Sequence, residues 1–279
     1  MLLKTLKQAA HALMSRRTEA AMEYPLEVEQ ALARLHSQAP VQKHLDSLYY
    51  NITIGGERFS DLYRRCLEHT GTLVTPFNVF QRFQTRLDIV QYFLSTLALP
   101  GGRAECGVYR GATALLLCHA RQMCEPGYQG ENFYLIDSFS GTSASTRADY
   151  IPVRAQDGST RMEAFFPAGK TDVSPAIVRE YFLEYPQAQI CAGWIPDVFA
   201  TLPEQQWAFV HLDVTLYEPT LAALEYFHPR MTQGGVIVCD GSIFCPGAAR
   251  AWEKFCESRA LAYVTLGHRE TVLIKQQGD

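Results

Sequence analysis

Four carboxylic acids each lie within a short apolar segment of this 279-residue sequence or directly after one. Glu105 lies between alanine and cysteine, Asp137 follows Leu-Ile, Asp213 follows His-Leu, and Asp240 follows Val-Cys. Carboxylates can attract a cationic ligand, bind a divalent metal ion or accept a proton from a hydroxyl group. The sequence therefore predicts a site of acid chemistry if the fold brings these segment ends together.

A glycine-containing loop, Glu-Cys-Gly-Val-Tyr-Arg-Gly-Ala, begins at the first of these acids and covers residues 105–112. Its glycines, Gly107 and Gly111, allow close backbone approach and a tight entry into a helix. Tyr109 stands where the dinucleotide fingerprint GxGxxG has its second glycine, and no Gly-Lys-Ser/Thr of a phosphate-binding P-loop follows. The loop is either a ligand-binding turn of another kind or an ordinary strand-to-helix turn.

The charge of this loop discriminates between nucleotide ligands. Glu105 would repel an anionic pyrophosphate but favours S-adenosylmethionine, whose sulfonium and ammonium groups are cationic. The carboxylate of the same molecule can bind at the N-terminus of the helix that follows Gly111. Asp137 stands where α/β nucleotide sites hydrogen-bond a ribose, although an aspartate there can also be a helix cap or turn residue. Together the loop and Asp137 favour S-adenosylmethionine.

Asp213 and Asp240 end two neighbouring predicted strands and are expected to face one crevice. There they can bind a divalent cation, or Asp213 can act as the proton acceptor, with His211 as the second catalytic candidate. His211 stands in an apolar segment, so a core histidine is the alternative. Thr215 and Glu218 have the spacing of a capping box at the start of a helix.

The acids must be positioned by the alternating strands and helices that follow Pro100. Predicted strands cover 103–106, 132–137, 189–192, 208–213, 236–240, 262–266 and 271–275. Predicted helices cover 112–123, 176–185, 217–229 and 246–258. This alternation predicts a doubly wound α/β fold, and the short turn before the last strand makes the final pair antiparallel. We therefore expect a mostly parallel seven-stranded sheet with a C-terminal antiparallel hairpin.

The first hundred residues have helical periodicity. Apolar spacing predicts helices over 26–36 and 59–67 and a long amphipathic helix over 77–97. The apolar face of that long helix is predicted to consist of Phe80, Phe83, Leu87, Val90 and Leu94. We expect residues 1–75 to form a helical extension for oligomerisation or substrate cover, and residues 76–279 to form the ligand-binding domain.

The composition argues against several classes of function. A formal net charge of −4, without a long Lys/Arg run, provides no field for a nucleic-acid backbone. No apolar run reaches the length of a transmembrane helix, and the eight cysteines lack zinc-site or disulfide-framework spacing. We expect a cytoplasmic protein with reduced thiols that acts on a small molecule. The apolar stripes before residue 70 predict a homodimer or higher homo-oligomer, and the polar segment 138–171 predicts a lid or binding loop.

From about Thr72 to its C-terminus, the chain resembles the macrocin O-methyltransferase family, which includes sugar O-methyltransferases of macrolide antibiotic pathways. The matching stretches occur in the family's order along the chain. They are ECGVYRG at 105–111, IDSFSG at 136–141, AGW at 192–194, HLD at 211–213 with LYEPT at 216–220, and PR at 229–230 with GG at 234–235. The resemblance implies a class I S-adenosylmethionine-dependent methyltransferase that methylates a hydroxyl group of a small molecule, such as a sugar or secondary metabolite.

The resemblance also implies roles for particular residues. It places the glycine loop at the methionine end of the cofactor, Asp137 and its neighbours at the ribose, and the Gly-Trp pair near the adenine. A segment that closes over the cofactor is matched just before the long helix. The implied cofactor site consists of Thr72, Leu73, Glu105, Cys106, Gly107, Val108, Tyr109, Gly111, Ala112, Asp137, Ser138, Phe139, Gly193, Trp194 and Asp213.

The chain departs from the family at two acids. The family has a second acid two residues after the position of Asp213 and an Asp-Asp pair at the end of strand five, where this chain has Thr215 and Gly241. At most Asp213 and Asp240 remain as metal ligands, so we expect Mg²⁺ binding to be weak. Metal-free methyl transfer is one alternative, and a cofactor-binding protein without activity is another. An NAD-dependent oxidoreductase is disfavoured by the tyrosine in the glycine loop.

Overall fold

A seven-stranded sheet forms the centre of the computed structural model, which describes residues 52–72, 83–155, 158–165, 168–169, 173–240, 245–267 and 270–278. Its strands are β3 (Gly102–Cys106), β4 (Phe133–Asp137), β7 (Gln189–Ala192), β8 (Trp207–Leu212), β9 (Met231–Cys239), β10 (Val264–Thr265) and β11 (Thr271–Ile274). Two small sheets pair β1 (Thr53–Ile54) with β2 (Glu57–Arg58) and β5 (Tyr150–Arg154) with β6 (Thr160–Ala164). The helices are α1 (Phe59–His69), α2 (Phe83–Ser95), α3 (Ala112–Cys124), α4 (Pro175–Tyr181), α5 (Tyr217–Phe227) and α6 (Pro246–Ser258).

The strand order confirms the predicted fold. It is β10-β11-β9-β8-β3-β4-β7, with parallel pairing from β9 to β7 and antiparallel pairing of β11 with both of its neighbours. The chain runs outward from β3 through β4 to β7 and then returns to β8 on the other side of β3. Open α/β sheets bind ligands at the carboxyl ends of their strands beside such a switch point. Glu105 near the end of β3 and Asp213 directly after β8 are therefore at the expected place.

Alternation along the strands sends neighbouring side chains to opposite faces of the sheet. Ala104 of β3 and Val210 of β8 belong to a buried apolar cluster with residues of α5 and α6, including Trp252. Phe209 faces the other side, where its ring lies 5.3 Å from that of Phe93 in α2. Arg103 and Glu105 of β3 are the register partners of Phe209 and His211 of β8. Because Phe209 faces α2 and alternate residues share a face, the side chains of Glu105 and His211 also lie on the α2 face of the sheet.

Segment 138–171 contains more regular structure than its polar composition predicts. A 3₁₀ turn over Arg147–Asp149 leads into the hairpin of β5 and β6. This hairpin was not predicted from the sequence. Pro152 lies within β5, and proline is tolerated in an edge strand but weakens the sequence pattern of a strand.

The start of α5 is capped by a distant residue rather than by the predicted Thr215 and Glu218. No side-chain cap from the N-cap residue is present. Instead the Asp149 carboxylate, which is buried, accepts a hydrogen bond of 2.7 Å from the Tyr217 backbone N–H. The capping-box prediction was wrong because the buried Asp149 of the hairpin segment already binds a free N–H group of the first turn.

Helix α1 precedes the predicted domain boundary at residue 75 but belongs to the same compact unit as the sheet. It buries Phe59, Leu62 and Leu67, with Phe59 against Phe83 at a ring distance of 5.0 Å. Residues 1–51 and 73–82 lie outside the described residues, as do the predicted helix over 26–36, the start of the predicted helix over 77–97, and Leu73. Among the described helices, none combines the length and apolar character that crossing a membrane requires.

Candidate active site

A cavity of about 120 Å³ opens at the carboxyl ends of β3 and β8, beside the switch point of the sheet. Its lining includes many of the residues predicted from the sequence, namely Thr72, Glu105, Gly107, Val108, Tyr109, Ala112 and Asp213. The structure adds Tyr63, Leu67, Arg86 and Thr113, which were not predicted. Helices α1 and α2 therefore contribute to this switch-point cavity as well as the strand ends.

A buried acid–histidine pair joins β3 to β8 next to the cavity. Glu105 and His211 are register partners, and His211 Nδ1 lies 2.8 Å from Glu105 Oε1. Burial raises the pKa of Glu105, and although burial acts to lower the pKa of His211, its hydrogen bond to Glu105 raises it. Glu105 Oε2 is buried and has no hydrogen-bond partner among the described residues. That oxygen is suited to bind a cationic or hydrogen-bond-donating group of a ligand in the cavity.

Arg86 of α2 connects the two acids that end the central strands. Its Nη1 lies 2.7 Å from Asp240 Oδ2, and its Nη2 lies 3.5 Å from Asp213 Oδ2. The side chain of Arg86 is 4% exposed, those of Asp240 and Asp213 11% and 27%. Although burial acts to lower the pKa of Arg86, the negative charge of Asp240 raises it above its ordinary value. The site therefore contains a permanent buried cation that the sequence analysis did not predict.

Asp137 fixes the shape of the glycine loop. Its Oδ2 accepts hydrogen bonds from the backbone N–H groups of Val108 and Tyr109, at 2.7 and 2.8 Å, and its Oδ1 accepts one of 2.7 Å from Phe139. Tyr109 has a φ of 51°, a left-handed conformation that is uncommon for a residue other than glycine. Two carboxylate oxygens offer about four acceptor positions, so Asp137 retains capacity for a ligand hydroxyl.

The remaining predicted residues around the end of β4 lie close to Asp137 along the backbone. The Gly193 N–H donates to the Asp137 carbonyl oxygen at 2.9 Å, and Trp194 beside it is 43% exposed. Ser138 turns its hydroxyl towards its own loop and donates to the Gly141 carbonyl oxygen at 2.8 Å. Asp137, which bonds to the glycine loop, thus connects the residues after β4 and β7 to the switch-point cavity.

The lining of the cavity does not include Cys106, Gly111 or His211. The Cys106 side chain is fully buried in the cluster that faces α5 and α6. Gly111 is the N-cap of α3 with a φ of +86°, and a Cβ atom there would lie 2.8 Å from the Phe182 ring, so both backbone conformation and packing favour glycine. His211 has no exposed surface and does not line the cavity, which fits a positioning residue better than a catalytic one.

The family resemblance implies a divalent metal ion at Asp213 and Asp240, but the residues present do not suit one. One ligand atom each from His211, Asp213 and Asp240 could surround an ion, since these atoms lie within 4.8 Å of one another. However, the Arg86 guanidinium already donates to Asp240 and lies beside Asp213. A dication there would be repelled by this fixed cation, and it would compete with Arg86 for the Asp240 oxygen.

A further buried acid lies next to these residues. Glu270 precedes β11, is fully buried, and has its pKa raised to about 7, first by burial and second by the charge of Asp240. No sequence pattern indicated Glu270, because a single acid before a strand is ordinary. Arg86 did have a signal, since it stands three residues after Phe83 and four before Val90, on the apolar stripe of the predicted helix.

Solved structures of methyltransferases share this fold. The O-methyltransferase NovP aligns with a TM-score of 0.56 at 20% identity, over 76% of this chain and 88% of NovP. The calicheamicin methyltransferase CalS11 aligns with a TM-score of 0.55 at 20% identity, over 79% of this chain and 93% of CalS11. The sheet is therefore that of a class I methyltransferase fold.

The family model of macrocin O-methyltransferase (TylF) matches residues 79–265. The chain belongs to the macrocin O-methyltransferase family. It is 30% identical, over 162 residues, to 8-demethyl-8-(2,3-dimethoxy-alpha-L-rhamnosyl)-tetracenomycin-C 4'-O-methyltransferase from Streptomyces olivaceus, covering 56% of this chain and 59% of that protein. It is 26% identical, over 164 residues, to demethyldecarbamoylnovobiocin O-methyltransferase from Streptomyces niveus, covering 56% and 58%. The chain thus spans about three fifths of these relatives.

Proposed function

We propose that this protein transfers a methyl group from S-adenosylmethionine to a hydroxyl group of a small molecule, a sugar or another secondary metabolite. The observation that carries the proposal is the switch-point cavity, where Glu105, the glycine loop and Asp213 meet in a chain of this family. Relatives named for the O-methylation of tetracenomycin and novobiocin intermediates support the class of acceptor.

The chemistry of the cavity suits S-adenosylmethionine. Glu105 Oε2, buried without a partner among the described residues, can accept a hydrogen bond from the ammonium group of the cofactor. The cofactor carboxylate suits the N-terminus of α3, whose first backbone N–H groups are free of helical partners. Asp137 can accept from the ribose, and the exposed Trp194 can pack against the adenine. An ordinary dinucleotide is a poorer ligand, because its pyrophosphate would lie next to Glu105.

Within this site, Asp213 is the proposed proton acceptor. When bound, S-adenosylmethionine would supply an electrophilic methyl group, and its sulfur would keep the electron pair of the broken C–S bond. Asp213 accepts the hydroxyl proton as the new O–C bond forms, so the step balances without a further reactant. Glu105, Asp137 and the glycine loop orient the cofactor, which contributes by proximity. His211 positions Glu105 through their 2.8 Å hydrogen bond.

The test of the cofactor is calorimetry with S-adenosylhomocysteine on the wild type and on Glu105→Gln. The substitution removes the negative charge and keeps the size, so we expect binding to weaken about tenfold or more, because hydrogen bonds to charged groups contribute about 1.5–3 kcal/mol. Glu68→Gln, an exposed acid on α1, is the matched control and should bind as the wild type does. A wild type that binds NADH instead, or equal affinity in Glu105→Gln and wild type, contradicts the proposal.

We also propose that the protein is a cytoplasmic homo-oligomer. All eight cysteines are free thiols, and six of them are buried, which suits a reducing compartment. The apolar face of α1 is used within this chain, so the contact between subunits is proposed for the amphipathic sequence before residue 51. Sedimentation at micromolar concentration should give a dimer or larger species; a monomer there overturns the proposal.

A further inference from the structure

Arg86 is placed where its charge acts on both acids of the site. Its Nη1 donates to Asp240 Oδ2 at 2.7 Å, its Nη2 lies 3.5 Å from Asp213 Oδ2, and its side chain is almost wholly buried. A buried guanidinium stays protonated and presents its donors in a rigid planar fork. Arg86 is therefore a fixed cation at the end of the central strands rather than a mobile surface charge.

Arg86 offsets part of the negative charge around it without an added ion. Asp213 and Asp240 carry two formal negative charges, and the guanidinium of Arg86 offsets one of them. Thr215 and Gly241 contribute no carboxylate. Hard cations such as Mg²⁺ and Mn²⁺ are selected by clusters of oxygen ligands whose charge is not already neutralised. This site has few such ligands, and one of them is the acceptor for Arg86.

We propose that the Arg86 guanidinium takes the place of a divalent cation in this site, so that the protein neither binds nor requires a metal ion for methyl transfer. The statement about methyl transfer rests on the proposed function, whereas the statement that no metal ion binds rests on the geometry alone. Asp240 anchors Arg86. Asp213 is the more exposed acid and the more distant from Arg86, so it keeps oxygen lone pairs for the hydroxyl of the acceptor.

The experiment measures Mn²⁺ binding by electron paramagnetic resonance, a readout that needs no acceptor and no turnover. Wild type should leave millimolar Mn²⁺ free. Arg86→Met keeps a similar stem without the charge and opens the set of His211, Asp213 and Asp240, so Mn²⁺ should bind at least tenfold more tightly than to wild type. Arg86→Lys restores a cation and should again exclude Mn²⁺.

Two further measurements make each outcome decisive. In the double variant Arg86→Met with Asp213→Asn, the gained Mn²⁺ affinity should be lost, which assigns the ion to this site. If Arg86→Met does not fold, wild type decides alone: with 10 mM EDTA or with 10 mM Mg²⁺ its affinity for S-adenosylhomocysteine and its melting temperature should agree within error. Tight Mn²⁺ binding to wild type, or a folded Arg86→Met that gains no affinity, overturns the proposal. Failure of wild type to bind S-adenosylhomocysteine would instead refute the proposed function and leave the Mn²⁺ result standing.

Discussion

Asp213→Asn is expected to lower kcat by a factor of about 10²–10⁴, the range that a positioned general base contributes. Asparagine keeps the size of the side chain and an oxygen that Arg86 can bind, but it cannot take the hydroxyl proton. Affinity for S-adenosylhomocysteine should change little, because the cofactor is held chiefly by the glycine loop, Glu105 and Asp137. Steady-state kinetics with an accepted hydroxyl substrate measure kcat, and calorimetry with S-adenosylhomocysteine measures the affinity for the cofactor product.

The matched control for this variant is Glu218→Gln, which removes a neighbouring acid that is exposed at the start of α5. It should leave kcat within about twofold of wild type, because exposed charges have small effects. A solvent isotope effect on kcat that is present in wild type and unchanged in Asp213→Asn would assign the proton transfer to another group. Equal kcat for wild type and Asp213→Asn would likewise exclude Asp213 as the base.

The sequence predicts the sheet well because its strands carry a strong local signal. The apolar segments that end at Cys106, Asp137 and Asp213 are short, and each is followed by a helix pattern, which specifies parallel pairing. The hairpin of β5 and β6 lacked this signal, since none of its strand residues is buried and one is Pro152. The cap of α5 could not be predicted either, because Asp149 lies far from Tyr217 in the sequence and only the fold brings them together.

The candidate site also contains residues that the sequence predicts and residues that it does not. Residues that act through backbone shape, such as Gly107 and the loop after it, are visible as a motif in the sequence, and they line the cavity. Arg86 was missed because apolar spacing predicts burial from hydrophobic residues, and a charged residue on the same stripe is read as exposed. The burial of Arg86 depends on its ion pair with Asp240, which lies 154 positions away in the sequence. Long-range charge pairs of this kind are a property of the tertiary structure.

Gly107→Ala is expected to damage both the fold and the cofactor site. Gly107 has a φ of +88°, and a Cβ atom there would lie 2.7 Å from the carbonyl carbon of Asp213 and closer still to its oxygen. The left-handed conformation alone costs a residue with a side chain about 1–2 kcal/mol. The clash is with backbone, which has no rotamer by which to move away, so the loop or the Asp213 segment must shift. Because Asp213 N donates to the Cys106 carbonyl oxygen at 2.8 Å, either shift also disturbs the ends of β3 and β8.

Gly127→Ala separates the cost of the left-handed conformation from the cost of the clash with backbone. Gly127 also has a positive φ, +98°, but no described atom lies within 4 Å of a Cβ atom placed there. Urea unfolding should therefore show a loss of about 1–2 kcal/mol in Gly127→Ala and a clearly larger loss in Gly107→Ala. Calorimetry with S-adenosylhomocysteine should give wild-type affinity for Gly127→Ala and no measurable binding for Gly107→Ala at a temperature where both are folded. If the two variants lose the same stability and both bind the ligand normally, the close approach of Gly107 to Asp213 is not what requires glycine in this loop.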